Sequence, residues 1–320
     1  MSQEPRFGVL GQLRIDGGRT PGPAKHRTVL AALLLSARHP VPVERLMSVV
    51  WDDRPPASAE SVLRVYVSAL RKLVDGIRTV PGGYLFDVDR DAVDCHRFER
   101  LVVEARRARE AGSVAEAAEG FRAALALWRG QALADVESSI LRREHGVPLE
   151  EARLTALEER VRLDLRLGRG AEVVGELRAL AGAHPLREGA WALLIEALHQ
   201  AGRRSEALGA FQDARRTLVD ELGLEPGAVL TAAHRRVLND QGSAADRVSP
   251  EGVAVAAPPE AGDAVRFLGS GGAAGLQMAG GMAGYPTAQA GAAGYPTAQA
   301  GAAGGYPAVE AVAGARGAPG

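Results

Sequence analysis

The stretch "ASAESVLRVYVSALRKLV", residues 57–74, decides how the N-terminal third of this chain is read. Its Val and Leu content suits a buried helix, yet Arg64, Ser68 and Arg71 recur at i, i+4 and i+7. Projected at about 100° per residue, Val62, Leu63, Tyr66, Leu70, Leu73 and Val74 fall on one broad side. Arg64, Val67, Ser68, Arg71 and Lys72 fall on the other, with Val65 and Ala69 at the margins. A solvated helix back ordinarily mixes acids with bases, but no acid lies between Glu60 and Asp75. Unpartnered cations in a line repel one another unless a polyanion neutralises them, and arginine suits bidentate contact with guanine edges and phosphates. The pattern alone leaves two readings open: a packing helix with a solvated back, or a reader of DNA.

The flanking segments narrow the choice. "FGVLGQLRI" (7–15), followed by "DGG", predicts one or two short strands. Pro23 opens "PAKHRTVLAALLLSARHP", a helix that Pro40 must end. "VPVERLMSVVW" (41–51) predicts a second short helix; "DDRPPAS" is a loop in which Ser58 is placed to cap the third. After Gly76, "IRTV" and "YLFDV" around Pro-Gly-Gly predict a hairpin. Strands, three helices and a hairpin form the winged helix-turn-helix order, with the third helix in the major groove and the hairpin beside it. Between residues 23 and 78 nine bases face five acids, a local excess on a chain whose net charge is -1. Lys25 and Arg27 fall in the first turn of their helix, where free backbone N–H groups favour anions. Arg78 and Thr79 stand at the start of the hairpin.

Residues 95–242 carry continuous helical periodicity and a repeat. Gly112, Gly168 and Gly202 each precede a glutamate by four residues (Glu116, Glu172, Glu206). A small or β-branched residue follows (Ala117, Val173, Ala207), then a large apolar one nine residues after the glycine (Phe121, Leu177, Phe211). The last two units are 34 residues apart, the tetratricopeptide period; the first pair is separated by a further stretch, "WRGQALADVESSILRREHGVP", read as an insertion or decayed linker. Residues 243–320 are rich in Gly, Ala and Pro, with "AGYPTAQAGA" at 283–292 and again at 293–302. Such a segment buries too little apolar surface to offset its ordering entropy, so disorder is expected.

Composition excludes several classes. The 320 residues are 46% hydrophobic, enough for two domains and more, and of 38 basic residues only Lys25 and Lys72 are lysines. Lone Cys95 excludes an internal disulfide and a cysteine-built zinc site; beside His96 it reads as a domain-edge residue. No window reaches the roughly 18 apolar residues of a membrane span, and "MSQEPRFGVL" is no signal peptide, so a cytoplasmic protein is expected. There is no phosphate-binding G-x-x-x-x-G-K-[ST], no H-E-x-x-H and no setting for a cysteine nucleophile. Neither an enzyme nor a cofactor or metal site is expected.

"PAKHRTVLAALLL", "WDDRPPAS", "VLRVYVSALRKLV", "TVPGGYLF", "RFERLV", "LWRG" and "HPLREGAWALLIEALHQAGRRSEALGAFQDARRTLVDELGLEPG" resemble the Streptomyces antibiotic regulatory proteins in order and spacing. The resemblance runs from about residue 5 to 241. It implies an OmpR-type winged helix (1–94) joined to a bacterial transcriptional activation domain of tetratricopeptide type (95–242), with the tail outside. It also implies Arg64, Ser68 and Arg71 facing bases, Lys72 nearer phosphate, and Arg78 and Thr79 in the wing. The loop Trp51, Asp52, Asp53 and Arg54 takes the place that contacts RNA polymerase in such activators. Members bind direct repeats in promoter DNA as side-by-side protomers and recruit the polymerase holoenzyme, which places them at the nucleoid. Ala69 departs from the wider OmpR class, whose members often carry a basic reader there, so base preference does not transfer. The expected fold is mainly α with a small β component, and the expected function is sequence-specific activation of a secondary-metabolite cluster. The alternative is a tetratricopeptide scaffold that reads no DNA.

Overall fold

The computed structural model describes residues 5–16 and 21–239. All of them lie in residues 1–253, the first of two units into which the chain divides. The disorder expected for residues 243–320 lies outside the described residues. Strands β1 (Phe7–Gly8) and β2 (Arg14–Ile15) pair antiparallel. Helix α1 (Ala24–Leu35) ends five residues before Pro40, because Arg38 takes a left-handed backbone (φ 66°) and donates its N–H to the Phe86 carbonyl. The expected strand-and-helix order then appears with one addition. Val41–Pro42 is a short strand, β3, that leads directly into α2 (Val43–Trp51).

The hairpin is β4 (Ile77–Val80) with β5 (Gly83–Phe86), and the sheet order is β3-β5-β4, antiparallel throughout. Gly83 opposes Pro42, and a Cβ on it would stand 2.2 Å from the Val41 carbonyl oxygen. Only glycine lets β3 approach that closely, so the second glycine of Pro-Gly-Gly serves the sheet and only Pro81-Gly82 makes the turn. Helix α3 (Ala59–Leu70) follows the loop as expected. Ser58 occupies the cap position, but its side chain caps nothing; its carbonyl instead accepts from Val62 N–H and from the Ser61 hydroxyl.

The helical part comprises α4 (Asp94–Glu110), α5 (Val114–Leu125), α6 (Ser139–Leu141), a π turn (Arg142–Gly146), α7 (Val147–Arg166), α8 (Gly170–Ala183), α9 (Glu188–Gln200), α10 (Arg204–Leu222) and α11 (Ala228–Asn239). Gly112, Gly168 and Gly202 close the α4–α5, α7–α8 and α9–α10 turns with φ of 83°, 76° and 73°. This left-handed backbone is why the repeat needs glycine there. Phe121 and Leu177 are fully buried and Phe211 nearly so. Helix α11 covers the last pair, with His234 stacked 3.8 Å from the Phe211 ring; burial lowers the pKa of that imidazole. Asp164 of α7, almost wholly buried, pairs with Arg122 of α5, with Arg160 (3.1 Å) and with Arg169 (3.6 Å).

Of the two readings of residues 128–148, an insertion or a decayed linker, the second is corrected. This stretch returns to the N-terminal strands: Arg129, Leu133 and Ala134 donate their N–H groups to the carbonyls of Leu10, Val9 and Gly11. One hydrophobic core accordingly runs from Phe7 to Leu163, and a second, from Val161 to Val237, is shared by α7–α11. Packing does not part at residue 94; α7 belongs to both cores. Among the described residues no helix is long and apolar enough to cross a membrane.

Candidate nucleic-acid interface

Helix α3 buries Ala59, Leu63, Val67 and Leu70. Two assignments of the helical projection are thereby corrected. Val67, placed on the polar side, is 1% exposed, whereas Leu73, placed in the core, is 49% exposed. The helix ends at Leu70, and Lys72 and Leu73 follow in tighter turns (N–H to Ala69 and Leu70 carbonyls), which swings Leu73 outward. The solvent strip of α3 is therefore Ser61, Arg64, Val65 and Ser68, continued by Lys72.

Among the described residues Arg64 pairs only with Glu60, one turn away, and both are exposed. Such a pair is worth about 0.3–0.5 kcal/mol, too little to commit the guanidinium to Glu60 against a stronger anionic partner. Val65, left at the margin by the sequence pattern, is 64% exposed in the middle of the strip. An aliphatic group there matches the one apolar feature of the major groove, the thymine methyl. Lys72 has no side-chain partner among the described residues, a fitting state for a phosphate contact.

Arg71 is exposed but engaged. Its Nε donates to the Ile77 carbonyl (3.0 Å), an Nη donates to the Thr79 hydroxyl (2.8 Å), and its guanidinium lies 5.9 Å from the Tyr84 ring centre. It ties the end of α3 to both wing strands rather than standing in line with Arg64 and Ser68. In the wing, Arg78 pairs with Asp87 at 2.9 Å and stays well exposed.

The first-turn cations of α1 are spent inside the protein. Lys25 Nζ donates to the Val50 carbonyl near the end of α2. Arg27 donates to the Asp135 and Gly22 carbonyls (3.0 and 2.7 Å) and pairs with the Asp135 carboxylate at 3.3 Å. The free-anion reading of Lys25 and Arg27 is corrected on that ground: the acid that claims Arg27 comes from a segment far along the chain. At the end of α2, Trp51 stacks on Tyr66 at 6.3 Å, and the loop begins at Asp52. Asp52 accepts from Ser139 N–H (3.0 Å) at the start of α6, Asp53 accepts from the Ser48 hydroxyl, and Arg54 is exposed with no side-chain partner among the described residues.

One further carboxylate joins the N-terminal part of the fold to the helical bundle. Asp94, 1% exposed, accepts from Val9 N–H (2.8 Å), Leu10 N–H (3.1 Å) and Arg129 (2.9 Å). Desolvation raises its pKa, and those three hydrogen bonds oppose the rise. Next to it, Cys95 is buried, which pushes its thiol well up and leaves it unreactive, and His96 Nε2 donates to the Leu34 carbonyl of α1.

Comparison with known proteins agrees with this geometry. Residues 18–86 match the family described as "Transcriptional regulatory protein, C terminal", and residues 93–238 match "Bacterial transcriptional activator domain". The regulatory protein DnrI of Streptomyces peucetius is 44% identical over 246 residues, 72% of this chain and 90% of DnrI. The transcriptional regulator RedD of Streptomyces coelicolor is 33% identical over 72% of this chain and 69% of RedD. Regulatory protein AfsR of Streptomyces griseus is 39% identical, but this chain spans only 24% of it. The solved structure of Mycobacterium tuberculosis EmbR in complex with a low affinity phosphopeptide superposes with a TM-score of 0.69 at 34% identity, covering 73% of this chain and 65% of that one. A winged helix packed into a helical activator domain, with relatives of this kind over most of their length, has one reading: the chain belongs to the Streptomyces antibiotic regulatory protein family of transcriptional activators.

Proposed function

We propose that this chain binds direct repeats upstream of promoters of a secondary-metabolite cluster, as side-by-side protomers, and recruits the RNA polymerase holoenzyme. Residues 1–94 read DNA, residues 95–242 meet protein partners, and the protein works in the cytoplasm at the nucleoid. The observation that carries the reading is the α3 strip, in which Arg64, Val65, Ser68 and Lys72 combine a cationic fork, an aliphatic group, a hydroxyl and a point charge. Arg64, Val65 and Ser68 face bases, and Lys72 neutralises a phosphate. Thr79 and Arg78 bring the wing to the neighbouring backbone. Footprinting the full chain on promoters beside its own gene tests the proposal. Two protected tracts about one helical turn apart, near 10–10.5 bp, are expected; no protected tract at low salt returns the chain to the scaffold reading.

In this reading Arg71 is a positioning residue that sets the angle between α3 and the wing. Arg71→Ala is expected to weaken the cognate site by about 1–3 kcal/mol. Arg71→Lys should do little better, because a single ammonium cannot replace a fork that holds Ile77 and Thr79 together. The salt dependence of binding should stay at its wild-type slope in both. Rescue by lysine, or a slope reduced by about 1 in the alanine variant, would make Arg71 a phosphate contact instead.

A further inference from the structure

Arginine supplies 36 of the 38 basic residues in this chain; the two exceptions are Lys25 and Lys72. The two chemistries differ in one respect that matters on a DNA-facing surface. A guanidinium stays charged and is no nucleophile, whereas an ε-amine can be acylated and its charge removed. Lys25 is unsuited to that reaction, because it is half-buried and its Nζ donates to the Val50 carbonyl. Lys72 is exposed, and no side-chain partner holds it among the described residues. It lies past the end of α3, in the turn where the Lys72 and Leu73 N–H groups donate to the Ala69 and Leu70 carbonyls. The next residue, Leu73, is 49% exposed, so this turn faces solvent and is open to a second reactant. The other exposed cations assigned to the strip and the wing, Arg64, Arg71 and Arg78, are all guanidinium groups, fixed in charge. For plain phosphate contact arginine serves at least as well as lysine, since its fork can make two bonds. A lysine at this one exposed position adds what arginine lacks, a charge that can be taken away.

We propose that Lys72 is an acylation site, and that transfer of a short acyl group to its ε-amine lowers the affinity of the chain for DNA. The neutral amine nitrogen attacks the carbonyl carbon of an activated acyl donor, a thioester or an acyl phosphate. The C–N bond forms as the C–S or C–O bond breaks. The electron pair leaves on the thiolate or phosphate, and the proton from nitrogen passes to water; nothing is oxidised or reduced. The product amide is uncharged, so the phosphate opposite residue 72 keeps its counterion and the salt dependence of binding flattens. Arg64, Val65 and Ser68 are untouched, so discrimination between sites persists. This inference rests on the proposed reading of Lys72 as a phosphate contact.

The test incubates the full chain with acetyl phosphate in one arm and acetyl-coenzyme A in the other, with and without a promoter fragment that the wild type footprints. Peptide mass spectrometry then maps the acetylated positions. Acetylation at Lys72 ahead of Lys25, slowed by the bound promoter, is expected, and the arm that labels names the donor. Treated protein should bind matched and mismatched DNA more weakly by one common factor, with the salt slope lowered by about 1. Lys72→Arg, compared treated against untreated, should show no change. Labelling of Lys25 before Lys72, or of neither in both arms, overturns the inference and leaves the activator reading standing. Acetylated Lys72 with affinity and slope unchanged overturns the inference and the phosphate contact together. An untreated wild type that footprints no promoter overturns the DNA reading, and the inference with it.

Discussion

Asp94→Ala is expected to destabilise the fold by about 3–5 kcal/mol, the cost of breaking a buried ion pair from one side. The reason is local and triple. The carboxylate is the acceptor for two backbone N–H groups in the loop between β1 and β2 and for the Arg129 guanidinium, and Asp94 is almost wholly buried. Without it two buried donors and a part-buried cation are orphaned together. A typical domain is stable by about 5–15 kcal/mol, so chemical denaturation of the variant should show a large fall in midpoint. Asp94→Asn should be milder, since an amide oxygen still serves one N–H. The sign of its pH dependence follows from desolvation. The folded pKa of Asp94 is raised, so its contribution is fully present below the unfolded carboxylate value and is lost as pH rises through the folded one. The stability gap between wild type and Asp94→Asn should therefore narrow as pH increases across that window; a gap that widens would contradict the assignment.

The contrast between Asp94 and the repeat glycines shows what was legible in the sequence. Gly112, Gly168 and Gly202 announce themselves because a left-handed turn between packed helices excludes other residues at a fixed period. The apolar side of α3 was legible for a similar reason, and its error is instructive. Val67 lies about 40° from Leu63 on the wheel and belongs on the buried side with it, while Leu73 was misplaced because the helix stops at Leu70 and 100° steps no longer apply beyond it. Asp94, Arg27 and Asp52 were opaque, since their partners lie 35, 108 and 87 positions away and no local pattern encodes such pairings. Arg71 and Arg64 look equivalent in a linear pattern. What separates them is the wing, whose carbonyl and hydroxyl claim Arg71 only after the sheet has formed. Strand β3 was missed because two residues with a proline carry no alternation, and its signature is the glycine across the ladder.

Arg64→Ala is expected to cost about 1–3 kcal/mol on the cognate site and to relax preference at one base position, while Lys72→Ala should weaken all sequences nearly alike. The difference follows from the chemistry of the two heads. Arg64 has a planar fork whose one side-chain partner among the described residues is an exposed glutamate one turn back, and under the proposed reading that fork meets a base edge. Lys72 lies beyond the end of the helix, a point charge with no side-chain partner among the described residues, and under the proposed reading it neutralises a phosphate. Neither residue touches the core that Leu63, Val67 and Leu70 build, so both variants should unfold at the wild-type midpoint. Loss of stability in either would shift the explanation from contact to folding.

Titrating the full chain with the footprinted promoter DNA over a range of salt concentrations tests the central claim most directly, with Lys72→Ala and Arg64→Ala measured alongside. The account predicts a linear fall of log affinity with log salt, about 0.9 per phosphate neutralised. The slope should decrease by about 1 in Lys72→Ala, with Arg64→Ala losing discrimination against a mismatched site. Affinity insensitive to salt, or both variants indistinguishable from wild type on matched and mismatched DNA, would contradict it.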